Sequence, residues 1–265
     1  MFAPDTGPET ARGSNRRAGL VPGGVRRCVV IWIGRSSLVD QMAAADPLAD
    51  EALRGVEPGM RIGLGAGRTT ARLVAGLARR HRDGAPFEVA AADAHTEKLC
   101  REAGLTVLDF ATVDRLDLLL DGADEVDREL RVLKGRRGAI ARERVLAWAS
   151  DRRVYSVRAH KLSERIGTNA ALAIVVMPFG LATTRAAVRE AGYNGVVRLD
   201  MDGSFLITDN GNVVLDVALT GDEDLAQLAS ELHALPGVID HGLFLREADT
   251  LLIEHEDGDV ERLDR

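Results

Sequence analysis

Two aspartates in the stretch LLLDGADEVD are the first residues whose types and spacing could do chemistry. Asp121 and Asp124 follow three leucines and flank a Gly-Ala pair, so they come where a buried strand is expected to end. Carboxylates at such a position can contact hydroxyl groups or move protons. Aspartate also favours turns and helix caps, and a purely structural turn fits the pair equally well. The third acid, Glu125, is expected to point to solvent.

Glu143 is an acidic residue on the apolar face of a predicted helix. Within GAIARERVLAWA its neighbours three and four positions away are Ala139, Ile140, Leu146 and Ala147. A carboxylate in such surroundings is either held in an ion pair or desolvated, and desolvation raises its pKa towards that of a general base. The pattern favours a base, with a structural ion pair as the alternative.

Lys134 is one of only three lysines among 34 basic residues, so a position that keeps lysine is informative. It shares the face of Leu130 and Val132 at the end of a predicted strand. From there its ammonium could stabilise negative charge on a ligand. The alternative is a side chain that extends to solvent at the rim of the sheet.

The loop in GLGAGRTTA connects a predicted strand with a predicted helix. Gly65 and Gly67 allow a tight turn, and Arg68, Thr69 and Thr70 come at the start of the helix. Free backbone N–H groups and the positive end of the helix dipole attract anions there. The loop matches neither the dinucleotide-binding nor the Walker motif. Phosphate binding and an ordinary tight turn both fit it.

The elements that must position these residues alternate between short apolar runs and helical patterns from residue 46 onward. This alternation predicts an α/β fold, with a Rossmann-like parallel sheet and helices on both faces. The run ELRVLK is expected to be one of its strands. Because ligands bind beyond the carboxyl ends of parallel strands, we expect the candidate residues to gather at one rim of the sheet.

The domain organisation follows from a change of pattern near residue 168. Residues 168–240 contain short apolar runs joined by Asp-Gly and Asn-Gly turns, which predict a small α+β domain. Residues 46–167 and 241–265 are predicted to form the Rossmann-like catalytic domain. Residues 1–45 are rich in Gly, Arg and Pro, and we expect them to be a disordered extension.

Composition limits the class of protein. The formal net charge is −7, which disfavours a nucleic-acid partner, and no apolar run is long enough to span a membrane. Two cysteines are too few for a disulfide scaffold or a cysteine-type zinc site, so we expect a cytoplasmic protein. His95, His160 and His241 show no metal spacing, so we expect neither a metal nor another cofactor.

The motifs, taken in order, resemble the type A family of ribose-5-phosphate isomerases. The resemblance runs from residue 46 to about residue 260. It implies an isomerase of the pentose phosphate pathway that interconverts ribose 5-phosphate and ribulose 5-phosphate through an enediol, without a metal, as a homodimer or homotetramer. The matching stretches are VEPGMRIGLGAGRTTA, DAHTEKL, LLLDGADEVD, LKGRRGAIARERV, HKLSERIG, ITDNGNVVLD and LPGVIDHGLF.

The resemblance also implies a role for each candidate residue. Glu143 would take a proton from C2 and return it to C1, and Lys134 would stabilise charge on the substrate oxygens. Asp121 and Asp124 would assist ring opening and contact hydroxyl groups. The substrate and its phosphate would be held by a larger set, namely Gly65, Gly67, Arg68, Thr69, Thr70, Gly135, Arg136, Arg137 and Lys161.

Three arginines depart from the family pattern. Arg68, Arg136 and Arg137 stand where members of the family usually have small residues. If they face the ligand, the ligand would carry an additional anionic group or bind in a shifted pose, and ribose 5-phosphate would be a weak substrate. If they point outward, they only reflect the arginine-rich composition. The alternatives to the leading function are therefore a divergent isomerase of a more anionic sugar phosphate and a non-catalytic sugar-phosphate sensor.

Overall fold

The chain folds around a seven-stranded sheet, seen in a computed structural model that describes residues 46–265. The predicted extension at residues 1–45 lies outside the described residues. Neighbouring strands of the sheet are parallel except for the last two, β13 and β14, and the spatial order is β14-β13-β7-β4-β1-β2-β3. The strands are β1 (Arg61–Leu64), β2 (Glu88–Ala91), β3 (Thr106–Val107), β4 (Leu116–Gly122), β7 (Ser150–Arg158), β13 (Thr250–Glu254) and β14 (Val260–Asp264).

Helices cover both faces of this sheet, as the sequence predicts. Side chains alternate between the faces along a strand. Leu118 and Leu120 of β4 pack in one apolar cluster with Leu73, whereas Leu119 packs in another with Leu146. The first cluster lies under α1, α2 and α3, and the second lies under α4. The bounds are α1 (Pro47–Ala52), α2 (Arg68–Arg82), α3 (Ala94–Glu102) and α4 (Ile140–Ala149).

After β7 the chain leaves the main sheet and forms a four-stranded antiparallel sheet. Its strands have the order β11-β8-β10-β9, and Leu215, Leu228 and Val188 belong to the apolar cluster between this sheet and its two helices. It occupies the part of the chain for which a small α+β domain is predicted, while the domain boundaries themselves stay a prediction. The elements are β8 (Leu172–Val176), α5 (Leu181–Glu190), β9 (Val196–Val197), β10 (Val213–Val217), α6 (Leu225–Ala234) and β11 (Val238–His241).

The prediction that ELRVLK forms a strand of the main sheet is wrong. A turn takes up the start of the run, because the Asp127 carboxylate accepts the N–H groups of Glu129 and Arg131 and Leu130 adopts a φ of 59°. The two remaining residues pair antiparallel with two other short strands. This three-stranded sheet has the order β12-β6-β5, with β5 (Glu125–Val126), β6 (Val132–Leu133) and β12 (Leu243–Phe244).

Candidate active site

A cavity of about 510 Å³ opens beyond the carboxyl ends of β1, β4 and β7. The order of the strands reverses between β1 and β4, which is where open α/β sheets bind ligands. The rim predicted from the sequence is therefore present. The predicted site residues that line the cavity are Gly67, Arg68, Thr69, Asp124, Lys134, Gly135, Arg136, Arg137, Glu143 and Lys161.

Lys134 and two carboxylates form a buried charge cluster in the wall of this cavity. Lys134 Nζ lies 2.8 Å from Asp121 Oδ2 and 3.1 Å from Glu143 Oε1, and it donates to Gly122 O at 2.7 Å. The three charged residues are no more than 4% exposed. The hydrogen bond to Gly122 O and the attraction of the two carboxylates hold the ammonium in place.

Local sequence rules explain how two of these groups meet. Asp121 shares the strand face of Leu119, which is the face that α4 covers. Glu143 lies in the first turn of α4, where Ile140 and Leu146 are also buried, as the predicted apolar face requires. The two-residue period of the strand and the 3.6-residue period of the helix thus place both carboxylates between β4 and α4.

Burial sets the protonation of the cluster. It raises the pKa of Glu143 to about 8, against the opposing attraction of Lys134 and with a further rise from the charge of Asp121. Burial also raises the pKa of Asp121, with Lys134 opposing. For Lys134, burial lowers the pKa, but the charges of Asp121 and Glu143 more than offset it, so the ammonium stays charged. Glu143 is therefore a carboxylate of raised basicity held beside a permanent cation.

Three predicted site residues, Gly65, Thr70 and Asp121, do not line the cavity. A Cβ at Gly65 would lie 1.7 Å from Asp121 Oδ1, so the missing side chain provides the room that the carboxylate occupies. Thr70 is fully buried in α2. Asp121 is likewise buried behind Lys134 rather than at the cavity surface. These residues therefore support the cavity wall from inside the protein and do not contact the cavity itself.

The start of α2 forms one side of the cavity. Its N-cap is Gly67, with a φ of 102° and no side-chain hydrogen bond to the first turn. A Cβ at this glycine would lie 3.3 Å from Arg137 Cδ, so the two glycine-containing loops meet closely here. Arg68 and Thr69 follow at the cavity surface. The uncapped first turn offers N–H groups and a positive dipole end to an anion.

Cations without carboxylate partners surround this end of the cavity. Among residues 46–265, Arg68, Arg136 and Lys161 have no carboxylate within ion-pair distance, whereas Arg137 Nε lies 3.3 Å from Asp93 Oδ2. Burial lowers the pKa of Lys161, and the charges of Arg136 and Arg68 contribute to the lowering. The three departing arginines all line the cavity, so the interpretation that they only point outward is wrong.

Comparisons with known proteins show the family of the chain. Residues 89–258 match the family described as ribose 5-phosphate isomerase A (phosphoriboisomerase A). The ribose-5-phosphate isomerase A of Roseiflexus sp. (strain RS-1) is 39% identical over 215 residues, which are 80% of this chain and 92% of the relative. The chain belongs to the ribose 5-phosphate isomerase A family.

Solved structures of this family have the same fold. The ribose 5-phosphate isomerase A of Methanocaldococcus jannaschii superposes with a TM-score of 0.78 at 27% identity, over 86% of this chain and all of that one. A D-ribose-5-phosphate isomerase solved in complex with phospho-erythronic acid gives a TM-score of 0.79 at 28% identity, covering 83% of this chain and 96% of its own. The predicted family and fold class are confirmed.

Part of the cavity wall is formed by residues that are not among those predicted from the sequence. Arg72, Arg158 and His160 also line the cavity. Arg72 lies one helical turn after Arg68, and that spacing was the signal that could have found it. Its guanidinium is held 2.7 Å from Asp46 and 2.5 Å from Glu254, so its charge is already paired.

The expectation that Glu125 points to solvent is wrong. Glu125 is fully buried, and its carboxylate accepts the backbone N–H groups of residues 167–170. These donors come from a segment 42 or more residues further along the chain, which no local pattern could indicate. The acid next to Asp124 is therefore part of the framework of the site.

A second group of titratable residues lies in the small antiparallel sheet. Ligand-type atoms of His233, Asp240 and His241 lie within 4.8 Å of one another. Burial lowers the pKa of His241 to about 3, and its Nδ1 accepts the Leu243 N–H, so Nε2 of the neutral ring carries the proton. Both Asp240 oxygens accept from Arg144. Protein contacts thus account for these groups, while the expected absence of a metal stays a prediction.

Proposed function

We propose that this chain interconverts ribose 5-phosphate and ribulose 5-phosphate through an enediol. The observation that carries the proposal is the buried Glu143 carboxylate, 3.1 Å from the Lys134 ammonium, in the wall of the cavity. Such a pair supplies a proton acceptor of raised pKa next to a fixed positive charge. Relatives named ribose-5-phosphate isomerase A support the same reaction.

Glu143 acts as the base in this reaction. Its carboxylate takes the proton from C2 of the open-chain aldose and returns it to C1. Lys134 stabilises the negative charge that develops on the oxygen at C1 when C2 loses its proton. The net result moves one hydrogen from C2 to C1 and one from the C2 hydroxyl to the C1 oxygen, so the atoms balance without an oxidant or reductant.

The two aspartates have different roles in the proposal. Asp121 acts through Lys134, because it lies behind the ammonium at 2.8 Å and is not at the cavity surface. Asp124 lines the cavity, accepts the Arg136 N–H at 2.8 Å, and is placed to contact sugar hydroxyls and assist ring opening. Gly65 belongs with Asp121, since it makes room for that carboxylate.

The phosphate binds at the start of α2. Gly67 and Thr69 present the first turn of the helix, and Arg68, Arg136 and Lys161 supply cations. With Asp124 as the one opposing unpaired carboxylate among the described residues lining the cavity, the unpaired groups leave a net charge of about +2, which matches the charge of about −1.5 to −2 on one phosphate. The arginines therefore do not require a more anionic sugar phosphate. Gly135 and Arg137 complete the wall.

We further propose that the enzyme is cytoplasmic and works as a homodimer or homotetramer. Large apolar side chains are exposed on α4, where Val145 is 56% and Trp148 is 89% exposed, and exposed apolar patches are typical of contact surfaces. None of the helices in residues 46–265 has the length and apolar character needed to cross a bilayer. Light scattering after size exclusion would give the oligomeric state.

Proton NMR of ribose 5-phosphate with the purified chain tests the proposed function. We expect conversion to the equilibrium mixture with ribulose 5-phosphate, unaffected by EDTA. The variant Glu129→Gln is a control for acid-to-amide changes. Glu129 is exposed on the hairpin that follows Asp124, so this variant should keep wild-type turnover. No conversion by a folded wild-type protein would contradict the proposal.

A further inference from the structure

Glu125 is a buried acid that the proposed reaction does not use. It is fully buried, and within residues 46–265 no lysine, arginine or histidine lies within ion-pair distance of it. Its two oxygens instead accept the N–H groups of four consecutive residues, 167–170, at distances of 2.9 to 3.2 Å. A run of backbone N–H groups of this kind forms an anion nest. Here the anion comes from the chain itself.

The segment that Glu125 holds begins at the cavity. Residues 161–170 lead from Lys161, whose ammonium lines the cavity, towards β8. The Ser163 N–H donates to Val126 O at 2.9 Å, and Lys161 Nζ donates to Ala123 O. Three successive sets of contacts therefore fasten the segment to residues 123–126. Of these, the nest around Glu125 contains the most hydrogen bonds.

The strand that carries Glu125, β5, also pairs with the strand that precedes Lys134. Glu125 pairs with Leu133 between β5 and β6, and the Asp124 N–H donates to Leu133 O at 2.9 Å. Lys134 follows Leu133 directly in the chain. Glu125 therefore connects the β5–β6 pair, which leads to Lys134, with residues 161–170, which begin at Lys161.

We propose that Glu125 is a positioning residue that fixes Lys161 and the 161–170 segment for the substrate phosphate. The identity of that substrate rests on the proposed function. Without the carboxylate, four N–H groups lose their acceptor and the segment is released. Because the phosphate does not change during the reaction, its contacts stabilise the bound substrate and the transition state alike, and their loss raises KM rather than lowering kcat.

Glu125→Gln tests the proposal, because glutamine keeps the size and one acceptor but turns an NH₂ group towards the N–H donors. We expect KM for ribose 5-phosphate to rise on the order of tenfold with kcat nearly unchanged, and the inhibition constant of inorganic phosphate to rise by the same factor. Glu125→Asp keeps the charge with a shorter reach and should give an intermediate KM. Glu129→Gln, on the same hairpin, should leave both constants unchanged.

A double-mutant cycle with Lys161→Ala separates positioning from general stability. If Glu125 acts through Lys161, the double variant has the KM of Lys161→Ala alone. Two increases that multiply would show that Glu125 acts independently of Lys161, and the proposal would be overturned. A loss confined to kcat, or an unchanged KM in a folded Glu125→Gln protein, would overturn it as well.

Hydrogen exchange supplies a readout that needs no turnover. In the wild type we expect slow exchange of the amides of residues 167–170, and in Glu125→Gln faster exchange that is confined to residues 161–170. If the glutamine variant does not fold, amide exchange in the wild type and KM of Glu125→Asp still test the proposal. Fast exchange of the amides of residues 167–170 in the wild type overturns it. Failure of the wild type to turn over ribose 5-phosphate would instead remove the proposed function, while the exchange result would stand.

Discussion

The inner wall and the outer rim of the cavity treat charge in opposite ways. In the inner wall, Asp121, Lys134 and Glu143 are almost completely buried, and one ammonium is shared by two carboxylates. At the rim, Arg68 and Arg136 are exposed and have no carboxylate within ion-pair distance among the described residues. The inner group already holds its ammonium against carboxylates of the protein, whereas the rim leaves positive charge for a ligand to match.

This difference separates two tasks. A buried, fully contacted cluster keeps its geometry, which suits proton transfer because the reacting groups must not move or be solvated. An exposed set of cations attracts an anion over some distance but is screened by salt. We therefore expect changes in the inner wall to affect kcat and changes at the rim to affect KM.

The largest effect should come from Glu143→Gln. The amide cannot accept the C2 proton, so kcat for ribose 5-phosphate should fall by roughly 10²–10⁴-fold, the usual contribution of a general base. The fold should persist, because glutamine has the same size. Circular dichroism and steady-state kinetics on the same preparation check both points, and near-normal kcat in a folded variant would refute the role of Glu143.

A smaller loss of kcat is expected from Gly65→Ala. The added methyl group would lie 1.7 Å from Asp121 Oδ1, so the carboxylate must leave the position that it holds beside Lys134. We expect kcat to fall on the order of tenfold, and overpacking to reduce stability by about 1–3 kcal/mol. Gly55→Ala is the control, since its nearest neighbour would be Arg152 Nη1 at 3.4 Å. Equal kinetics in the two variants would mean that Asp121 does not act through Lys134.

At the rim, Arg136→Ala should change binding alone. Loss of one exposed cation should raise KM by about 3- to 10-fold with unchanged kcat, and the difference from the wild type should shrink as salt is added. Arg189→Ala removes an exposed arginine of α5 and should change neither constant. If Arg136→Ala instead improves kcat/KM for ribose 5-phosphate, a more anionic natural substrate becomes the better explanation.

The smallest effect concerns stability and pH. Burial raises the pKa of Glu143 from the ordinary 4.5 to about 8, so the folded state binds this proton more tightly than the unfolded state. The stability of the wild type relative to Glu143→Gln should therefore fall as pH rises from about 4.5 to about 8. Calorimetry should show the Tm of the variant gaining steadily on that of the wild type over that range. A constant difference would show that Glu143 titrates normally.

The inner wall could be predicted from the sequence because its residues obey local periods. Asp121 follows the period of a strand, and Glu143 follows the period of a helix, so each position indicates the same layer of the fold. The strand predicted to carry Lys134 was wrong, because the turn at Asp127 shortens it to two residues and these pair outside the main sheet. The residue was found, but the sheet that carries it was not.

The supporting contacts could not be predicted, because they join distant segments. Glu125 meets donors 42 to 45 residues away, and Gly65 meets a carboxylate on a different strand. No period along the chain encodes such a contact. The direction of the three arginines also depended on how two loops meet, which a composition rich in arginine does not reveal.

Isomerisation in D₂O tests most directly the claim that Glu143 transfers the proton. The wild type should produce ribulose 5-phosphate with deuterium at C1, because the acid form of Glu143 exchanges with solvent while the enediol is bound. Glu143→Gln should show neither this product nor exchange at C2 of ribose 5-phosphate within the same time. Exchange by the folded Glu143→Gln protein at the wild-type rate would contradict the account.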